Sequence, residues 1–291
     1  KVKDMSYMFN EARSFNQDIS VWQTGLVESM YAMFAVATAF NQNIGGWNTG
    51  KVTNMHRMFQ SATVFNQDIS EWNTENVEYM SNMFHNATAF NQNIGGWDTG
   101  KVTTMHRMFY AAKAFNQNVG SWNTDSVSSM YQMFYAASNF NNGEEPGLSN
   151  NPLNWNTGSV DNMNGLFHAA TSFNQPFGDN WDTKSAKYMS SMFNGAKAFN
   201  QDISSWNISK VEYFDQFLNA SNMQIDNYDN LLNAWSEQTV KPNLTFDAVG
   251  VNYCYAEDAR NKLENTYGWT ITDAGKKCPP QNLRLDNDKV N

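Results

Sequence analysis

Apolar residues recur along this chain with one spacing. The pattern V-x-x-M-x-x-M-F-x-x-A-x-x-F-N-Q-x-I-x-x-W-N-T starts at Val2, Val27, Val52, Val77, Val102 and Val127, always 25 residues apart. It returns at Val160 after eight extra residues, at Ala186 after one, and at Val211. Trp22, Trp47, Trp72, Trp97, Trp122, Trp155, Trp181 and Trp206 hold the Trp position. Val52, Met55, Phe59 and Ala62 stand at i, i+3, i+7 and i+10, the stripe of about three helical turns. Asn48 and Thr49 just upstream are natural helix caps. The stretch 65–72 lacks that stripe and carries one Ile among Asn, Gln, Asp and Ser, which predicts a short strand or extended run closed by a turn. No unit can bury its Met, Phe and Trp alone, so neighbours must supply the core. The expected fold is a leucine-rich-repeat-like solenoid of the α/β kind. Each ~25-residue coil would hold one short helix and one short strand or extended run. Nine such coils at about 4.8 Å each make a rod of roughly 43 Å.

A longer period lies over the first. AFNQNIGGWNTGKVTNMHRMF from Ala39 and AFNQNIGGWDTGKVTTMHRMF from Ala89 differ at two positions, as a duplicated two-unit block would. The period stops at Asp226. Beyond it, Tyr228, Leu231, Leu232 and Trp235 form one helical stripe, 256–267 reads as a second helix, and 244–246 and 269–271 alternate as short strands. A terminal coil has to cover its open face, so 226–279 is expected to be a small α+β C-terminal cap on a 1–225 repeat array. Residues 280–291 would be a linker or the start of another module.

The V-x-x-M-x-x-M-F-x-x-A-x-x-F-N-Q-D-I-x-x-W-N-T units, over residues 1 to about 225, resemble the BspA-like leucine-rich-repeat surface proteins, a group once catalogued as a mycoplasma domain of unknown function. The segment YDNLLNAWSEQTVKPNLTFDAVGVNYCYAEDARNKLENTYGWTITDAG resembles the piece that closes such arrays in bacterial members. The resemblance implies a surface-displayed module of a bacterial adhesin, associated with adhesion and protein interaction, and supplies no catalytic residue. PPQNLRLDNDKVN resembles the opening strand of cadherin-like or immunoglobulin-like modules of large bacterial adhesins. With KVKDMSYMF already inside a unit, both ends are expected to be cut from a multidomain chain that supplies flanking domains.

Composition narrows the partners. Acidic residues outnumber basic ones 28 to 19, for a net charge of −9, which argues against nucleic acid. No run of 18 apolar residues is present, so no transmembrane segment is expected. The two Cys, Cys254 and Cys278, both lie outside the repeats and read as one disulfide rather than a metal site, in an oxidising, extracellular setting. His56, His85, His106 and His168 follow repeat logic; His56 and His106 stand two coils apart, about 10 Å, too far for one zinc ion. No metal or other cofactor is required, although the acidic charge is compatible with Ca²⁺. The Met and Trp positions read as core, and no nucleophile, phosphate loop or paired-carboxylate motif points to an enzyme. Arg57, Arg107, Lys51 and Lys101 form a basic stripe.

Two places are candidates for binding a protein or glycan on a host or neighbouring cell. One is the insertion NNGEEPGLSNNPLN, where the period breaks: Asn142, Glu144, Glu145, Asn150 and Asn151. The other is the outward polar rank Asp18, Asn43, Asp68, Asn93 and Asn118, just before the Ile position. A rank of Thr24, Thr49, Thr74, Thr99, Thr124, Thr157 and Thr183 raises an alternative, an ice-binding surface. A passive spacer is the other alternative.

Overall fold

The computed structural model of the chain describes residues 1–280. The module start expected over 280–291 lies, from residue 281 onward, outside them. Successive units pair in parallel and in register, through a chain of bridges that runs Asp4, Ser29, Asn54, Tyr79, Thr104, Ser129, Asn162, Tyr188, Tyr213.

The short helix expected in each unit is not there. Among the described residues the only helices are α1 (Ile225–Ser236) and α2 (Glu257–Tyr267). In its place the backbone divides its donors between two directions. Met30, Ala32, Phe34 and Val36 donate N–H to Asn54, His56, Met58 and Gln60 of the next unit, at 2.7–2.9 Å. The residues between them, Met33, Ala35 and Ala37, close turns onto Met30, Ala32 and Phe34 at 3.0–3.2 Å. Every fourth residue of the run is left-handed, with φ of 51° at Ala32 and 61° at Val36. An α-helix would spend all its N–H groups on itself. A run of four-residue turns satisfies half of them locally and gives the rest to the neighbour. It also spaces apolar residues three and four apart, which is why the two look alike in sequence.

The expected burial holds. Met55, Met80 and Met105 are wholly buried, as are the Val, Phe and Ile positions of the inner units. Phe34 stacks on Phe40 within its unit at 4.0 Å and on Phe59 of the next at 5.7 Å. Trp47 donates its indole N–H to the Ile19 carbonyl at 3.2 Å, and Trp72, Trp97 and Trp122 repeat the bond. The FNQ segment makes no strand ladder of its own. Asn16 Oδ1 accepts the Asn41 N–H at 2.9 Å, and Gln42 Nε2 donates to the Asn16 carbonyl at 3.0 Å; later units repeat this stitch.

At the C-terminal end the chain imitates one more unit. Leu218 and Ala220 donate N–H to Asp247 and Val249, in and just after β1 (Thr245–Ala248), both at 2.9 Å. Gln224 and Asn227 take up the amide stitch on Asn200. Phe246 and Trp235 lie 5.2 Å from Phe214, covering the ring stack. β1 pairs in parallel with β2 (Thr270–Asp273) across α2, with Phe246 opposite Ile271. The buried Asp229 of α1 accepts N–H groups from Cys254, Tyr255 and Ala256, capping α2 from a separate element. Cys254 and Cys278 are joined in a disulfide.

Candidate functional site

The residues expected to bind fall into two groups. Asn142 is fully buried. Its Oδ1 accepts the Val119 N–H at 2.8 Å, and it exchanges two bonds with Asn151, amide to carbonyl, at 2.9 and 3.1 Å. Asn141 donates to the carbonyls of Glu145 and Leu148, and the buried Gln175 to Asn141 and Leu148. Asn142 and Asn151 therefore fix the insertion, and Asn142, fully buried, does not, contrary to expectation, present its amide at the surface. Glu145 and Asn150 are exposed and Glu144 half-buried. The insertion does sit beside the expected polar rank: Asn116 donates to the Glu144 carbonyl at 2.9 Å.

Asp18, Asn43, Asp68, Asn93 and Asn118 are exposed as expected, but each lends an oxygen to its own turn. The N–H groups of Ser20, Gly45, Ser70, Gly95 and Gly120 donate to them at 2.9–3.1 Å. Those bonds, backbone first, hold the Asp18 and Asp68 carboxyls below the usual carboxylate range. The Thr rank differs from expectation. Thr24, Thr49, Thr74, Thr99, Thr124, Thr157 and Thr183 are at most 2 % exposed. Thr49 Oγ1 donates to the Asn73 carbonyl of the next unit at 2.9 Å, and its rank-mates do the same. They neither cap helices nor present hydroxyls at the surface.

A third face comes together only in the structure, although the sequence marks its Arg57 and Arg107 as part of a basic stripe and its histidines as following the repeat. Along the turn run, four ranks that are partly exposed in most units change residue from unit to unit while the core ranks hold theirs. One runs Ser6, Tyr31, His56, Ser81, His106, Tyr131, Asn164, Ser190; another runs Tyr7, Ala32, Arg57, Asn82, Arg107, Gln132, Gly165, Ser191. Here the rings of His85, Tyr110, Tyr135 and His168 stack across four units at 4.6, 4.6 and 4.2 Å. Arg107 lies over Tyr131 at 5.2 Å and donates its Nε–H to Gln132 at 2.8 Å. His106 Nε2 and Ser129 Oγ are 2.6 Å apart. Arg57, Asn82, His106, Arg107, Tyr131 and Asn162 border a hollow of about 360 Å³. A second, of about 300 Å³, adjoins it at Tyr131 and reaches Tyr135, Asn164, His168 and Ser190. The signal for this face was present in the sequence, as positions that vary inside an otherwise fixed template.

The imidazoles on this face are held neutral. Burial, with Arg107 and Arg57 nearby, pushes His85 down to about 4. Burial also lowers His56, His106 and His168, with Arg57 adding to the effect at His56 and Arg107 at His106. Among the described residues no group of three or more His, Cys, Asp or Glu is placed to hold a metal ion. No described helix is long and apolar enough to cross a membrane.

No curated protein matches the sequence. Residues 1–79, 66–146 and 145–246 each match the family described as Mycoplasma protein of unknown function, DUF285, the last match reaching through α1 into β1. Successive matches over consecutive segments agree with the tandem units seen in the structure. With residues 1 to 246 of 291 covered, the chain belongs to this family.

Proposed function

We propose that the units form a leucine-rich-repeat-like solenoid of the BspA-like kind, and that it is a non-enzymatic binding module of a bacterial cell-surface adhesin. The recognition surface is the face carrying the Tyr, His and Arg ranks. The single observation behind this reading is that ranks which change residue from unit to unit, a four-unit stack of His and Tyr rings and two adjoining hollows coincide on that face. The buried Val, Met, Phe, Trp and Thr ranks and the Asn stitch repeat from unit to unit and present no such combination. A repeated surface offers avidity without discrimination, whereas a varied one specifies a ligand. The disulfide in the cap favours an extracellular setting, and the staples within the insertion favour a structural role for most of it.

The test is a screen of host and microbial surface proteins and glycans against the whole chain, followed by rank swaps. His106→Ser, Tyr131→Asn and Tyr135→Asn each install a residue that another unit carries at the same rank, namely Ser81, Asn164 and Asn194. Together they should weaken binding of the best hit at least about tenfold, while Glu144→Gln with Glu145→Gln leaves it unchanged. Loss of binding only in the Glu144/Glu145 variant would move the site to the insertion.

A further inference from the structure

The turn run places two guanidinium groups on one rank, Arg57 and Arg107, two units apart with Asn82 between them. Two units span about 10 Å. Among the described residues neither arginine is in an ion pair. The Arg57 guanidinium and the Asn82 side-chain amide have no hydrogen-bond partner among the described residues, and Arg107 is steadied by Gln132 and Tyr131 with donors to spare. Two guanidinium groups bordering one hollow, with the Asn82 amide between them, can hold an anion between them.

We propose that the hollow bordered by Arg57, Asn82, His106, Arg107 and Tyr131 is an anion-recognition site for an acidic glycan. A carboxylate or sulfate ester on the glycan lies between the two arginines. Neutral sugar units continue past Tyr131 into the adjoining hollow. This inference rests on the reading of the variable face as the recognition surface.

Three features select a glycan and its direction. The adjoining hollow is lined by amides, hydroxyls and ring edges, with Gln132, Asn164 and Ser190 among them, a set suited to sugar hydroxyls. It holds no apolar socket of the sort a peptide anchor fills. Polarity fixes the orientation, because Ser190 is hydrogen-bonded to the Asp215 carboxylate at 2.5 Å, making that end acidic. At the other end burial and Arg107 lower the His106 pKa, with Asp161 acting in the opposite sense. The anion therefore belongs at the Arg57–Arg107 end.

The experiment is calorimetric titration of the whole chain with galacturonan oligosaccharide, its methyl-esterified form, a heparin-derived oligosaccharide and poly-glutamate. The acidic oligosaccharides should bind, more weakly at high salt, and the esterified one should not. The galacturonan and heparin arms separate carboxylate from sulfate ester as the source of charge. Arg57→Ala and Arg107→Asn copy Ala32 and Asn82 of the same rank, so both should fold; each should weaken binding about tenfold or more. Lys210→Ser, which removes a charge elsewhere and copies Ser185, should leave binding intact. Equal binding of the esterified form, indifference to both arginine variants, or binding of neither acidic oligosaccharide overturns the proposal. Poly-glutamate binding as tight as the acidic glycans would also overturn it, assigning the site to an acidic peptide. If the proposal fails while a ligand from the surface screen is still lost in Tyr135→Asn, the variable face stands as the recognition surface. If that substitution is also without effect, both readings fall.

Discussion

Thr99 shows how single residues hold the units together. It is 1 % exposed, and its hydroxyl donates to the Asn123 carbonyl at 2.8 Å. Thr99→Val keeps the shape and leaves that carbonyl without its donor, so it should destabilise the chain by about 1–3 kcal/mol in urea titration. Titration of the histidines is the second expectation at this scale. A His whose folded pKa lies below its ordinary value of about 6.5 stabilises the fold fully above that pH. That stability is lost as pH falls, because the unfolded chain takes the proton first. For His85, at about 4 in the fold, the window runs from about 6.5 down to about 4. Urea midpoints should fall across that window and fall less in His85→Asn, which copies Asn194. Equal slopes in parent and variant would remove His85 from the account. The sequence leaves these Thr between a helix cap and an alternative ice-binding surface, because their partners lie 24 to 32 residues away, on the next unit, where no local pattern points.

Among the elements, the turn run was the least legible part of the fold. Val52, Met55, Phe59 and Ala62 satisfy a helix and a chain of four-residue turns alike, since both return an apolar side chain inward every three or four residues. What separates them is the left-handed residue at every fourth place, and Ala32, Arg57 and Gln132 give no hint of it. Val36 is the costliest occupant, a β-branched residue at φ 61°. Val36→Asn, which copies Asn86 at φ 56°, should stabilise the chain by about 1 kcal/mol, read as a higher urea midpoint. The cap elements were legible, because both helices carry their own stripe and the strands their own alternation. The insertion was half legible: the break in period was plain, but the burial of Asn142 and Gln175 depends on partners the fold brings in. Excising residues 143–150 would leave the Asn141 and Gln175 amides without the Glu145 and Leu148 carbonyls. It should cost a few kcal/mol of stability rather than none, as thermal unfolding would show.

Across the whole molecule, three ladders run from unit to unit: the backbone bonds of the turn run, the Trp and Thr bonds to carbonyls, and the Asn–Gln stitch. The cap continues the first and third, and covers the open ring stack with Trp235 and Phe246. Deleting everything after residue 224 would expose Phe214 and Phe217 and strip Leu218 and Ala220 of their acceptors, so that truncation should aggregate. With the ladders fixing the core and stitch ranks, specificity is proposed to lie with the face of Tyr, His and Arg ranks. Hydroxyl-radical footprinting tests that most directly, since Tyr and His side chains report their own exposure. With the ligand from the surface screen bound, His106, Tyr131 and Tyr135 should lose reactivity while Tyr255, 60 % exposed on the cap, keeps its own. Undiminished reactivity at those three residues, with protection instead over the insertion or along the Asp18-to-Asn118 rank, would contradict the account.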